Sequence, residues 1–178
     1  AQILQAAPLK RMLGVNRDIF IRSMCLQSVF VILTALGARM GDTVLAANAI
    51  LLHIQVLTAY ALDGFSTAAE ALAGEAKGAK NRANFVSAIR TTVLWSFLLA
   101  VLFSGLTALL GPYMIDALTI VENVRETART YLIWSILLPL VSVWSFQLDG
   151  IFIGCTWSRE MRNGMILSLL IYLAALPL

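Results

Sequence analysis

Long apolar runs separated by short charged segments make up most of the chain. A helix needs about 20 mainly apolar residues to cross a bilayer, and continuous runs do not show the alternation of membrane barrel strands. The stretches without a charged residue are 23–38, 43–62, 91–115, 130–148 and 163–178. The pattern predicts an all-α, polytopic transmembrane bundle with five helices at about 18–40, 44–76, 84–110, 128–156 and 161–178.

The composition narrows the class of protein further. Hydrophobic residues make up 60% of the chain and charged residues 13%, whereas soluble domains contain about 25% charged residues. A soluble enzyme and a disordered chain are both disfavoured. The net charge of +3 is too small and too dispersed for a nucleic-acid partner. Because no catalytic motif or Cys/His cluster occurs, we expect no enzyme activity and no metal site.

The distribution of basic residues predicts how the helices are oriented. With the N-terminus in the cytoplasm, the inside segments hold ten of the thirteen Lys and Arg residues and the outside segments hold three. The three outside residues are Arg39, Arg125 and Arg129. Residues 1–17 then form a basic cytoplasmic segment, because their charges come too late for a signal peptide.

A polar stripe runs along the helix predicted at 44–76. At about 100° per residue its members fall within an arc of about 80°, opposite an apolar face. They are Asn48, Gln55, Asp63, Ser66, Glu70 and Lys77. Charged groups within a membrane mark function by default, so the stripe predicts a helix that lines an aqueous cavity. The alternative is that these groups only bond to neighbouring helices.

The helix predicted at 128–156 carries a second stripe around Asp149. Its members lie within a similar arc of about 80°. They are Tyr131, Trp134, Ser142, Ser145, Asp149 and Thr156. Pro139 interrupts the backbone ladder, which neighbouring groups can compensate in a membrane. We predict a coupling or substrate role for Asp149, and the alternative is a permanent ion pair with a basic residue on a helix outside this chain.

Three other features of the sequence point less clearly to function. His53 lies off the stripe and fits an interhelical hydrogen-bond donor better than a proton shuttle. Arg22 is expected to extend towards the cytoplasmic interface. Gly74 and Gly78 form a G-x-x-x-G pattern, which favours either close helix contact or a helix end.

Three segments resemble multidrug and toxic compound extrusion (MATE) transporters. Residues 62–81 (LDGFSTAAEALAGEAKGAKN) are similar to the eighth helix of that family and the basic loop after it. Residues 148–155 (LDGIFIGC), followed by REMR at 159–162, are similar to the tenth helix. Residues 16–22 (NRDIFIR) resemble the entry into the seventh helix. The resemblance is strongest to the bacterial DNA-damage-inducible-F-like branch.

The resemblance implies an architecture of twelve helices in two six-helix lobes. This chain would supply helices seven to eleven, so residues 1–17 would be the cytoplasmic inter-lobe linker and 18–178 a partial C-terminal transmembrane lobe. The N-terminal lobe of the same chain would be its structural partner. The protein would then lie in the bacterial inner membrane as a multi-pass protein.

The resemblance also implies cation-coupled antiport, in which H⁺ or Na⁺ is exchanged for cationic or amphipathic drugs. Asp149 matches the acid of helix ten, whereas residues 19–38 lack the acid that many members carry in helix seven. No cofactor is expected besides the coupling ion, and the partners would be the lipid bilayer and these small substrates. The alternatives are a lipid-precursor flippase, which requires a basic cavity, and a non-transporting membrane scaffold, which requires no polar stripe.

Overall fold

The structure is a computed structural model that describes residues 6–176, without the side chains of residues 6–8 and 11. Its five α-helices are joined by short connections. They are α1 (Ala6–Arg39), α2 (Asp42–Gly78), α3 (Arg82–Leu118), α4 (Glu122–Gly154) and α5 (Ser158–Ala175). Within the described range there is no strand, and the predicted all-α class is confirmed.

The first helix starts well before the position that the charge pattern predicted. Helix α1 begins at Ala6, so residues 6–17 of the predicted linker are helical, while residues 1–5 lie outside the described residues. Pro8 is tolerated because a proline in the first turn removes no intrahelical hydrogen bond. Charged residues show where a helix leaves the apolar layer, but the helix itself continues beyond that point.

Helices α3 and α4 are also longer than predicted. Helix α3 was predicted to end at 110, yet it passes through Gly111 and Pro112 and ends at Leu118. Helix α4 was predicted from 128 and begins at Glu122, an acid in the first turn, where it complements the helix dipole. For α5 the predicted range was 161–178, and residues 177–178 lie outside the described residues.

Four of the helices are long and apolar enough to cross a membrane. These spans are Met12–Arg39, Asp42–Gly78, Arg82–Leu118 and Glu122–Gly154. Helix α5 is not among them, because its 18 residues include Arg159, Glu160 and Arg162. The chain is therefore an integral membrane protein, and the fifth membrane helix stays a prediction.

Helices α2, α3 and α4 pack against one another, and α1 packs mainly against α5 beside them. The largest buried cluster lies in the half where α2 and α4 begin and α3 ends. Its members are Ala47, Ile50, Ile54, Ile115, Val124, Ala128 and Leu132. Deeper in the bundle, the buried Gln147 of α4 donates a hydrogen bond to Ser96 of α3 at 2.5 Å. These contacts fix α4 between two neighbours.

Helix α4 remains continuous through Pro139, which is buried inside it. The hydroxyl of Ser104 on α3 donates to the carbonyl of Ile136 at 2.7 Å, in the turn that the proline disturbs. A neighbouring helix thus supplies a donor where the backbone ladder is weakened, as membrane helices with proline require.

Candidate functional site

A close contact between α2 and α4 brings the two polar stripes side by side. A Cβ at Gly150 would overlap the carbonyl oxygen of Ser66, and one at Gly154 would overlap that of Glu70. Small residues allow membrane helices to approach this closely. Ser66 is buried, and its hydroxyl donates to the carbonyl of Phe146 at 2.7 Å. Ser66 therefore lies in the helix contact, although the stripe predicted it to line a cavity.

Asp149 lies beside this contact and forms an ion pair with Arg22 of α1. The Arg22 Nη2 and Asp149 Oδ1 atoms are 2.5 Å apart, and the side chains are only 18% and 21% exposed. The side chain of Arg22 is thus directed to Asp149 of α4, whereas the sequence predicted that it extends to the cytoplasmic interface. The basic partner of Asp149 belongs to this chain, rather than to a helix outside it. Such a pair, shielded from water, is stronger than a pair on the surface.

Two more carboxylates act on the same site from α2. Asp63 lies one turn before Ser66, which meets Gly150, and the backbone of Glu70 meets Gly154, so both acids belong to the segment of α2 that packs beside Asp149. Asp63 is exposed and Glu70 is partly buried. Among the described residues, the ion pairs involve neither of them. We name Arg22, Asp149, Asp63 and Glu70 the acidic cluster, which combines three negative charges with one positive charge.

A separate cavity lies between α1, α2 and α4, in the half of the bundle where α2 begins. Its volume is about 440 Å³, and its lining contains no charged residue. The polar lining residues are Asn48 and Gln55 of α2 with Tyr131, Trp134 and Ser135 of α4. The Gln55 Oε1 atom is buried and has no hydrogen-bond partner among the described residues. The cavity can enclose an apolar molecule and offer it polar contacts.

The polar stripe of α2 thus serves four environments instead of one, because Lys77 donates a hydrogen bond to the carbonyl of Cys155 at the end of α4. Asn48 and Gln55 line the cavity, Ser66 lies in the helix contact, and Asp63 and Glu70 belong to the acidic cluster. At a rise of about 1.5 Å per residue, Gln55 lies about 12 Å along the helix from Asp63. The stripe is divided in this way because α4 packs closely on only one part of α2, at Gly150 and Gly154.

The remaining predicted site residues lie outside both the acidic cluster and the cavity. Ser142 makes a long contact of 3.5 Å with the carbonyl of Pro139, and Ser145 is exposed on α4. Neither lines the cavity. His53 is exposed and lies outside both sites. Within the described part of the chain, no three His, Cys, Asp or Glu side chains converge as a metal site would require.

Sequence reasoning missed the residues that assemble the site. Gly150 and Gly154 form a second G-x-x-x-G pattern directly after Asp149, and this spacing could have indicated the contact with α2. In the G-x-x-x-G pattern of Gly74 and Gly78, only one glycine makes a close helix contact. Gly74 faces Gly154, whereas Gly78 has open space around it. No local signal indicated that Arg22 would reach Asp149.

Comparisons with known proteins identify the family of the chain. The family model MatE matches residues 19–178. The chain is 44% identical over 156 residues to the DNA damage-inducible protein F of Escherichia coli (strain K12). That alignment covers 88% of this chain and 34% of the relative, so the chain spans about a third of the length of the curated relative it matches. No solved structure matches the chain. The match to the family model over nearly the whole chain shows that this integral membrane protein belongs to the MatE family.

Proposed function

We propose that the protein containing this chain is a secondary active transporter, which exchanges H⁺ or Na⁺ for cationic or amphipathic compounds across the bacterial inner membrane. The observation that carries the proposal is the acidic cluster within the membrane span. Ionisable residues there are costly to bury and mark ion or substrate pathways. A cluster with an excess of negative charge attracts cations, and the nearby apolar cavity accepts the rest of an amphipathic molecule.

Coupling requires that ion and substrate bind differently to the two states of the transporter. Asp63 and Glu70 provide such a difference, because a proton or Na⁺ that neutralises a carboxylate removes the charge that holds a cationic substrate. Asn48, Gln55 and Tyr131 line the cavity and would orient the apolar part. Polar contacts of this kind fix orientation in mainly apolar sites.

The cavity does not support the flippase alternative. A site for a lipid pyrophosphate needs Lys or Arg side chains, and the lining of the cavity contains none. The Escherichia coli relative is named for its induction by DNA damage. Planar cations that bind DNA, such as ethidium, are therefore suitable first probes of transport.

The first prediction tests whether the free acids of the cluster carry transport. In the full-length protein, Asp63→Asn and Glu70→Gln should each lower proton-driven or Na⁺-driven ethidium uptake into inverted vesicles about tenfold or more. Each variant keeps the size and hydrogen-bonding capacity of the side chain but loses the charge. Uptake is normalised to the amount of protein in the membrane.

The matched control for both variants is His53→Gln, which also replaces a polar side chain on α2. His53 is exposed and lies outside the acidic cluster and the cavity, so its variant should transport normally. Wild-type protein that transports nothing under either gradient would favour the scaffold alternative. Normal uptake by both acid variants would remove the acidic cluster from the mechanism.

A further inference from the structure

The guanidinium of Arg22 occupies the position at Asp149 that a bound cation would take. Its Nη2 atom is 2.5 Å from the Asp149 Oδ1 atom, an ion pair between opposite charges. Arginine remains charged at every physiological pH. While this contact is formed, Asp149 is neutralised by the protein itself and has no free charge for a cation from solution.

The Arg22–Asp149 ion pair has fewer supporting contacts than the pair that Asp18 of α1 forms with Arg162. Asp18 of α1 is 2% exposed and is contacted by Arg162 at 2.7 Å, by Ser158 at 3.1 Å and by Arg17 at 3.3 Å. Arg22, in contrast, reaches Asp149 through one Nη atom, and its Nε atom is buried without a partner. A guanidinium that is held at one atom can leave at a lower cost than a forked, fully bonded one.

The surroundings favour exchange of one cation for another. Asp63 and Glu70 lie on the segment of α2 that packs against Gly150 and Gly154 beside Asp149, so the acidic cluster keeps an excess of negative charge while Arg22 is in place. An incoming cation is attracted by these two acids before it meets Asp149. Asp149 would then exchange one positive partner for another and would not be left buried and unpaired, a state that is strongly unfavourable.

We propose that Arg22 is a tethered cation that competes with transported cations for Asp149 and thereby sets the affinity of the site. This inference rests on the proposed function. Binding of a cation at Asp149 displaces the guanidinium, and release of that cation lets the guanidinium return. Arg22 thus weakens binding and eases release, so it is a specificity-determining residue for the transported ion.

The test measures equilibrium binding of tetraphenylphosphonium to the purified full-length protein. Arg22→Gln removes the competing charge, and we expect it to bind the cation about tenfold or more tightly than the wild type. In the double variant with Asp149→Asn, the gain should disappear, because no freed carboxylate remains. Arg39→Gln is the matched control, since it removes a positive charge from the C-terminal end of α1, far from Asp149, and should leave the affinity unchanged.

Several outcomes distinguish the inference from the function on which it rests. If the wild type binds tetraphenylphosphonium but folded Arg22→Gln binds it equally or more weakly, Arg22 is not a competitor and the inference is overturned. If no variant binds the cation, the proposed function fails and the inference with it.

Should Arg22→Gln not accumulate, Arg22→Lys replaces it. An ammonium is more strongly hydrated than a guanidinium and competes less well for Asp149. We therefore expect Arg22→Lys to bind tetraphenylphosphonium about threefold more tightly than the wild type. An unchanged affinity overturns the inference.

Discussion

At the scale of single residues, two glutamines with buried amide oxygens show how the same side chain serves different purposes. Gln55 of α2 and Gln147 of α4 each have an Oε1 atom that is buried without a partner among the described residues. Gln147 donates to Ser96 in the contact between α3 and α4, whereas Gln55 lines the cavity. A buried acceptor without a partner costs about 1–3 kcal/mol. Gln55, unlike Gln147, is among the residues that line the cavity, so a ligand there would contact its side chain.

The role of the cavity can be tested at Gln55, because Gln147 provides a control outside the cavity. Gln55→Leu should weaken ethidium binding about fivefold or more, while the free energy of unfolding stays the same or rises by about 1 kcal/mol because the unsatisfied acceptor is removed. Fluorescence titration and thermal unfolding of the purified full-length protein measure the two effects. Gln147→Leu changes the same side chain outside the cavity and should leave the affinity unchanged. Equal loss of affinity in both variants would contradict a role for the cavity.

At the scale of the helices, the contact between α2 and α4 depends on two glycines. Adding a methyl group at Gly150 or Gly154 meets the backbone of α2 rather than a flexible side chain. The two helices would have to move apart, which would also displace Asp149 from Arg22. The contact therefore determines both the packing of the bundle and the geometry of the acidic cluster.

We expect Gly150→Ala and Gly154→Ala each to destabilise the folded protein by at least about 1–3 kcal/mol, the usual cost of overpacking a core. Their amounts in the membrane and their thermal unfolding midpoints should fall. Gly64→Ala and Gly78→Ala are the controls, since neither position has a neighbour within 4 Å. Alanine favours a helix over glycine by about 1 kcal/mol, so the controls should be as stable as the wild type or more so. Normal stability of Gly150→Ala would refute the close contact.

The attachment of α5 to α1 depends on the buried carboxylate of Asp18. It accepts hydrogen bonds from Arg162 and Ser158 at the start of α5. A second Asp–Arg pair, Asp116 with Arg129, has a similar length of 2.6 Å but lies on the surface. The two carboxylates therefore differ in burial and also in their partners, since Asp18 accepts from Ser158 as well as from arginine.

Asp18→Asn should lower the free energy of unfolding by about 1.5–3 kcal/mol, because it weakens hydrogen bonds to a charged, buried group. Asp116→Asn should cost no more than about 1 kcal/mol, as is usual for surface pairs. Thermal unfolding of both variants gives the comparison. Similar losses in the two variants would show that burial of Asp18 does not stabilise the packing of α1 against α5.

At the scale of the whole molecule, the distribution of charge predicts the orientation in the membrane. Position 40 lies in the connection between α1 and α2, and position 80 in that between α2 and α3, and both are exposed. Met40→Cys should react with a membrane-impermeant maleimide from outside the cell, and Lys80→Cys only in inverted vesicles. Both variants are made without Cys25 and Cys155. The reverse pattern would overturn the orientation.

The sequence by itself determined the class of protein and the number and order of its helices. Both follow from composition and from the length of apolar runs, which are local properties. It also singled out Asp149, Asp63 and Glu70, because a charge within an apolar run stands out without knowledge of its neighbours. The ends of α1 and α4 were misjudged, since these helices continue past the charges that mark the membrane border. The end of α3 was misjudged because the helix continues through Gly111 and Pro112.

Only the tertiary structure decided which of these residues meet. Arg22 and Asp149 are far apart in the chain, and their pairing depends on where α1 lies relative to α4. The division of the polar stripe on α2 likewise depends on the crossing of α2 and α4 at Gly150 and Gly154. Helices in a membrane approach one another according to the sizes of the side chains on both facing surfaces. That fit joins two distant segments, so the pattern within either segment alone does not contain it.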